Sequence, residues 1–222
     1  MTELSDAKVA TFAQAIYGSP VVGAARVDWD HYNAGEDRPG VCWGLKRCVG
    51  VDVIALRGSM SLRDWLRDLD TFADPFDDGD LGPVHPGFLA GMRETLSALR
   101  PLLEQPVVVT GHSLGAARAT ILTALMSLDG FRPLRRVVFG EPKPGFSKLA
   151  HIVNGAGRSY CATNHTARER DPVTMLPMSF PPEEYVHSGP LAFLAVEPAP
   201  ELHAQLGLFA LHDMRTYLHA LA

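Results

Sequence analysis

An α/β protein, with a mostly parallel central sheet flanked by helices, is what this chain predicts, on three observations. Short β-branched runs alternate with stretches of helical period along most of its length. Residues 107–110 read Val-Val-Val-Thr, too uniformly apolar for a strand with one wet face and suited to one buried between layers. That run leads directly into Gly111-His112-Ser113-Leu114-Gly115, and the small-residue stretch 116–119 follows. A G-x-S-x-G between a strand and a helix is a sharp turn that lifts its serine to the top of the sheet, at the positive end of a helix.

The elements follow in order. Val9, Phe12, Ala13 and Ile16 fall at i, i+3, i+4 and i+7, which predicts a first helix capped by Ser5 and stopped by Gly18. Residues 41–45 and 51–56 read as a strand hairpin turning at Lys46-Arg47. Leu62, Trp65, Leu66 and Leu69 make one apolar face of a helix whose other side carries Arg63, Asp64, Arg67 and Asp68. Residues 68–80 hold six aspartates and no base, read as a solvated, mobile loop. Asp77-Asp78-Gly79-Asp80 hints at calcium but lacks the spacing and distal Glu of an EF-hand loop. A helix over 88–103, the elbow strand and a helix to 128 come next. A strand over 136–139, a helix over 146–153 and a strand near 160–162 lead into the Pro-rich stretch 172–182. Residues 185–187 and 191–196 read as a short strand pair, and 201–221 as one last helix.

The composition bounds what this fold can do. At 222 residues the chain suits one domain, expected over 1–222, with a sizeable core. Its 46% apolar and 20% charged residues are ordinary for a globular protein. A net charge of −5 gives no reason to expect nucleic acid or an anionic membrane as partner. No apolar run approaches a membrane span. Glu3 and Asp6 stand where a leader peptide would carry bases, and no apolar stretch follows, so a cytoplasmic protein is expected. Cys42, Cys48 and Cys161 are an odd set without metal-ligand spacing; Cys42 and Cys48 could meet across the hairpin, but free thiols are the plainer expectation.

A serine hydroxyl needs a base to take its proton and a carboxylate to orient that base. Downstream of Ser113, Asp171 sits in Arg170-Asp171-Pro172-Val173, just past a strand, where the proline bars continuation into a helix. Glu141 is a second carboxylate, but it follows the nucleophile helix closely. Among the nine histidines, His112 is locked inside the elbow and cannot serve its own neighbour. His85 precedes a helix and reads as structural; most others lie in polar contexts. His187 and His212 remain, and His212, after the last strand near the C-terminus, is the better placed. An oxyanion requires two donors: the Leu114 N–H after the nucleophile, and one from an earlier strand-to-helix loop, which Arg57-Gly58-Ser59 supplies.

Together these segments resemble the class 3 (fungal-type triacylglycerol) lipase family. Arg57-Gly58-Ser59 with residues 64–69, then His85-Pro86-Gly87-Phe88, is similar to its oxyanion segment and following helix start. Gly111–Gly115 resembles its elbow, Phe139-Gly140-Glu141-Pro142 its F-G-x-P turn, and Asp171-Pro172-Val173 with Leu176-Pro177 its acid loop. His187-Ser188-Gly189 resembles its H-x-G pair. The likeness spans about residues 40–218. Glu141 stands where the family has a small residue, and Thr174 where it has proline.

The resemblance implies an α/β-hydrolase fold, with Ser113 as nucleophile, Asp171 as acid, His212 as base, and Ser59 and Leu114 as oxyanion donors. It makes His187 structural and puts the 62–69 helix where the family's lid lies, though a helix packed permanently on the body fits the same pattern. The implied activity is hydrolysis of acyl esters, acylglycerols first, on a lipid substrate with transient contact at its interface. No cofactor or metal is called for. Two other readings stay open: an esterase or thioesterase for polar substrates, and a non-catalytic relative that binds an acyl ligand.

Overall fold

The computed structural model describes residues 4–18, 27–36, 40–59, 75–153, 157–178 and 184–222. Helix α1 (Asp6–Ala15) precedes strands β1 (His31–Asn33), β2 (Trp43–Cys48), β3 (Val51–Leu56), β4 (Phe76–Asp77) and β5 (Pro83–Val84). Helices α2 (Pro86–Leu89) and α3 (Met92–Leu99) lead to β6 (Val107–His112), α4 (Leu114–Leu128), β7 (Arg135–Phe139), α5 (Ser147–Val153) and β8 (Gly157–Thr163). Strand β9 (Leu191–Ala195) and helices α6 (Pro200–Leu206) and α7 (Met214–Leu221) complete the order, with 3-10 turns at Arg100–Leu102, Pro172–Met175 and Gly207–Leu211.

Seven strands form one sheet in the order β1-β2-β3-β6-β7-β8-β9. The first three run antiparallel, and from β3 through β9 every neighbour is parallel. β4 and β5 make a separate antiparallel pair. All six residues of β6 are buried, because layers cover both faces. The period of two along the strand divides them: Val107 and Val109 enter the core under α4, while Val108 joins Val53, Val137 and Phe139 under α1 and α7. Each such side chain taken wholly from water contributes about 1.5–3 kcal/mol. Helix α4 is buried nearly all round, which its run of alanines and aliphatics permits between sheet and outer helices.

The first helix forms as its sequence predicts, with the Ser5 side chain accepting from Lys8 N–H at 3.2 Å and Gly18 at φ 68° beyond its end. The hairpin differs. β2 and β3 pair from Trp43↔Leu56 to Cys48↔Val51, so the turn is Val49-Gly50, not Lys46-Arg47. Gly50, at φ 77°, supplies the left-handed conformation that a two-residue loop demands. The helix expected over 88–103 is broken into α2, α3 and a 3-10 turn, since Gly91 at φ 77° caps α3 afresh. The last helix is likewise interrupted at Gly207. Val186 bridges Gly145, and β9 pairs instead with β8, so residues 185–196 are not a hairpin.

The acidic stretch is anchored where it is described. Asp78 accepts from Leu81 N–H and from Arg93 at 2.7 Å, and Asp80 meets the same guanidinium at 3.2 Å. The base that residues 68–80 lack comes from α3. The helix expected over 62–69 and the aspartates at 68–74 lie outside the described residues. The three cysteines are free. Among the described residues no helix is long and apolar enough to cross a membrane.

Candidate active site

The turn between β6 and α4 holds Ser113 at φ 59° and ψ −130°, a conformation non-glycine residues rarely adopt. Such a residue stores about 1–3 kcal/mol of strain, maintained only because its surroundings fix it. Both flanking glycines are required sterically: a Cβ on Gly111 would strike the Gly115 carbonyl, and one on Gly115 would strike the Leu56 carbonyl. The Ser113 N–H donates to the Phe139 carbonyl at 3.0 Å, tying the turn to β7. Leu114 begins α4, where the first N–H groups have no carbonyl one turn back and the helix dipole favours negative charge.

Asp171 follows β8, with its N–H on the Ala162 carbonyl at 2.8 Å. Its Oδ1 accepts from Val173 N–H at 2.9 Å, capping the 3-10 turn that Pro172 starts. His212 reaches the same carboxylate, with Nδ1 at 2.8 Å from Oδ2 and 3.0 Å from Oδ1. The interrupted last helix matters here: His212 occupies the break between the 3-10 turn Gly207–Leu211 and α7, where its ring can turn inward. A carboxylate only accepts, so Nδ1 carries a proton, and in the neutral ring that tautomer leaves the lone pair on Nε2. Nε2 is buried and has no hydrogen-bond partner among the described residues. Gly140, at φ 57°, makes room for this pair, since a Cβ there would lie 2.7 Å from Asp171 Oδ2 and 2.9 Å from His212 Nδ1.

One residue of this cluster was not foreseen. The Tyr217 hydroxyl donates to Asp171 Oδ2 at 2.5 Å while accepting from Ala162 N–H at 3.1 Å. Its sequence signal was the apolar stripe Met214, Tyr217, Leu221 on α7, because a tyrosine on a buried face needs a partner for its oxygen. Burial pushes the Asp171 pKa up, but the charge and hydrogen bond of His212 and the bond from Tyr217 prevail and hold it below the usual carboxylate value. Burial, then Asp171, drive the Tyr217 phenol well above its ordinary value.

The remaining candidates are placed as follows. The loop 57–59 lies against the elbow: a Cβ on Gly58 would be 2.7 Å from the His112 carbonyl. That brings half-buried Ser59 beside the Ser113 turn. His187 donates through Nε2 to the Thr174 carbonyl at 2.8 Å, and its Nδ1 lies 4.0 Å from Glu141. It is packed behind the acid loop. Glu141 is wholly buried and bound by Thr120, by Arg136 at 3.2 Å and by Ser159 at 2.7 Å, so it is not free to orient a base. His85 caps α2, accepting from Gly87 N–H at 3.2 Å and stacking on Phe88 at 4.1 Å.

Two of these histidines make the fold acid-sensitive. Burial, with His212 next in effect, lowers the His112 pKa to about 3, and burial lowers that of His85 to about 4. Unfolded, each titrates near 6.5. Between those values the unfolded chain binds more protons, so their stabilising contribution is complete above pH 6.5 and is lost as pH falls through the folded values. Urea unfolding between pH 7 and pH 4 is expected to show stability dropping by up to about 1.4 kcal/mol per pH unit for each histidine. An unchanged midpoint between pH 6.5 and pH 4.5 would contradict these assignments.

Comparison with known proteins sharpens the resemblance. The model of the family described as Lipase (class 3) matches residues 53–180. A secreted mono- and diacylglycerol lipase 1 of Fusarium solani is 32% identical over 155 residues, covering 63% of this chain and 45% of its own length. A phospholipase A1-II 1 of Oryza sativa subsp. indica is 26% identical over 200 residues, covering 77% of this chain and 49% of its own. The chain thus spans about half the length of these relatives. The crystal structure of a mono- and diacylglycerol lipase from Aspergillus oryzae superposes with a TM-score of 0.66 at 20% identity, over 89% of this chain and 81% of that one. At that identity the likeness is one of fold, and it bears out the α/β-hydrolase architecture.

The expectation of a cytoplasmic protein is corrected by these matches. The Fusarium relative is named as secreted, which points to an extracellular location. The acidic character read at Asp6 serves the fold instead: its carboxylate pairs with Arg135 at 2.5 Å and accepts from Tyr160 at 2.7 Å.

Proposed function

Because this chain belongs to the class 3 lipase family, we propose that it is a serine carboxylic-ester hydrolase acting on acylglycerol-type lipid esters. The observation that carries the reading is the His212 ring. Asp171 fixes its Nδ1, and its Nε2 is buried and unbonded among the described residues, on the residue whose backbone adjoins the elbow.

In this reading Ser113 Oγ attacks the ester carbonyl carbon while His212 Nε2 accepts the hydroxyl proton. Negative charge develops on the carbonyl oxygen, and the Leu114 N–H and Ser59 stabilise it. Collapse of the tetrahedral species expels the alcohol, which takes its proton from His212 and leaves the acyl group on Ser113. Water, deprotonated by the same imidazole, then attacks the acyl-enzyme and releases the acid. Asp171 holds one tautomer throughout and stabilises the transient imidazolium.

A lipid substrate is supported by the relatives and by the rim of the site. Met175 and Met178 are exposed beyond Asp171, as are Leu206 and Leu208 ahead of His212. The 3-10 turns of these two segments pack on each other, so their apolar side chains flank one region.

The test compares p-nitrophenyl butyrate and palmitate, with and without emulsified lipid, and follows an alkyl phosphonate adduct by peptide mass spectrometry. Turnover that rises on palmitate at the interface, with the adduct on Ser113, is expected. Turnover of dissolved butyrate alone would replace the lipid substrate with a polar ester. A folded protein giving neither turnover nor adduct would overturn the hydrolase reading.

A further inference from the structure

The elbow histidine has no part in the steps above, yet it is among the most constrained polar groups in the molecule. His112 Nε2 lies 2.6 Å from the backbone carbonyl of His212, and its ring centroid is 4.6 Å from the His212 ring. A carbonyl oxygen cannot donate, so Nε2 carries the hydrogen and Nδ1 is the acceptor. The Tyr17 hydroxyl stands 3.0 Å from that Nδ1 and is therefore the donor, its hydrogen shared with the His112 carbonyl at 3.2 Å. The phenol oxygen in turn packs directly against the Gly58 backbone. It lies under the same loop that ends in Ser59, where a Cβ on Gly58 would collide with it. Burial keeps the imidazole neutral, as this chain of bonds requires.

We propose that Tyr17 and His112 are positioning residues that tie the oxyanion loop, the nucleophile turn and the base into one unit. This rests on the Ser113–His212 reading given above. The chain runs from the Gly58 backbone, packed on Tyr17 Oη, through Tyr17 O–H to His112 Nδ1, and from His112 Nε2–H to the His212 carbonyl. Each link joins a different segment. Gly58 precedes Ser59, His112 precedes Ser113, and the carbonyl belongs to the base itself. Asp171 orients the His212 ring through Nδ1 but does not fix how far its backbone stands from the elbow; the His112 bond does. Tyr17 comes just after α1, which packs on β6 and β7, so it anchors the assembly to the sheet's rigid centre. Displacements of a reacting group by as little as 1 Å cost about 100-fold in rate, which sets the scale of what such a brace can control.

The experiment uses the full chain and dissolved p-nitrophenyl butyrate, measuring kcat, KM and melting temperature. Tyr17→Phe removes one oxygen; His112→Leu removes both ring contacts. Glutamine places an amide N–H near the position of Nε2, and asparagine places its polar atoms near Nδ1. Expected are kcat losses of about 10- to 100-fold for Tyr17→Phe and His112→Leu with KM within twofold. His112→Gln is expected to regain most of the loss, and His112→Asn little of it. A role in stability alone would scale activity with melting temperature and make no such distinction. The proposal is overturned if Tyr17→Phe and His112→Leu stay within twofold of the parent kcat, or if Gln is no better than Asn. Should His112→Leu fail to fold, Tyr17→Phe decides. Ser113→Ala runs alongside: an inactive Ser113→Ala with unimpaired brace variants defeats the brace only, whereas an active Ser113→Ala defeats the catalytic reading and the brace with it.

Discussion

Ser113→Ala is expected to lower kcat on p-nitrophenyl butyrate about a million-fold, leaving only what oxyanion donors and binding supply. Asp171→Asn should cost less, about ten-thousand-fold, with little change in KM. The difference has a structural cause. Without the serine oxygen no acyl-enzyme can form. With asparagine the ring still finds a partner, but an amide N–H facing Nδ1 favours the tautomer that places the proton on Nε2, where the lone pair is needed. Binding of substrate is not involved in either change, so the loss falls on kcat. Ser113→Gly makes the complementary point. Glycine adopts φ 59° without penalty, so this variant is expected to be inactive yet about 1 kcal/mol more stable in urea unfolding. Steady-state assays above the background of a mock preparation check all three. Ser113→Ala within a hundredfold of the parent would remove the serine from the mechanism, and Asp171→Asn at parent rates would remove the acid.

The elbow was legible because its information is local. Glycines two residues either side of a serine encode the steric contacts of a turn, and the contacts of Gly111 and Gly115 are those the spacing demands. Asp171 was legible for a similar reason, since proline after it stops the strand and the carboxylate caps the turn. His212 was harder to see. Its usefulness depends on a break in what reads as one helix over 201–221, and a lone glycine at 207 is weak evidence for one. Tyr217 and Arg136 were missed because their roles are set by packing between segments far apart in the chain. An arginine in a strand reads as solvent-facing, and only the fold shows it wholly buried beneath α4. The same lack of long-range information left Glu141 as a rival acid, when its charge is already committed. The hairpin turn was displaced because Lys46 and Arg47, polar enough for a loop, are held in the strand by Asp30 and Glu104. Location proved unreadable from the acidic start, for there Asp6 answers to Arg135.

Glu141→Ala is expected to destabilise the protein by about 3–5 kcal/mol, the largest stability effect of any single substitution argued for this chain. The Arg136 and Glu141 side chains are 2% and 0% exposed and meet at 3.2 Å. Thr120 and Ser159 donate to the same carboxylate, and the guanidinium is also within reach of both hydroxyls, at 2.9 and 3.1 Å. Removing the carboxylate leaves a cation in the interior whose other partners among the described residues are the neutral hydroxyls of Thr120 and Ser159. For a domain of this size, that loss corresponds to a melting temperature lower by roughly 10 °C. The converse holds for the pair as a whole. Replacing both charges, as in Arg136→Met with Glu141→Leu, is expected to cost far less than Glu141→Ala, because the desolvation of two ions disappears together with their attraction. Thermal and urea unfolding of Arg136→Met, Glu141→Leu and the double variant complete the cycle. A Glu141→Ala protein within 1 kcal/mol of the parent would show that Arg136 finds another partner or water. Activity supplies an independent check on where this pair sits. Glu141 adjoins Gly140, whose α-carbon is packed against Asp171 and His212, so the double variant should keep its fold yet lose rate as the turn relaxes. The buried pair thus adjoins the backbone against which Asp171 and His212 meet, a placement its sequence position beside the F-G-x-P turn does not disclose.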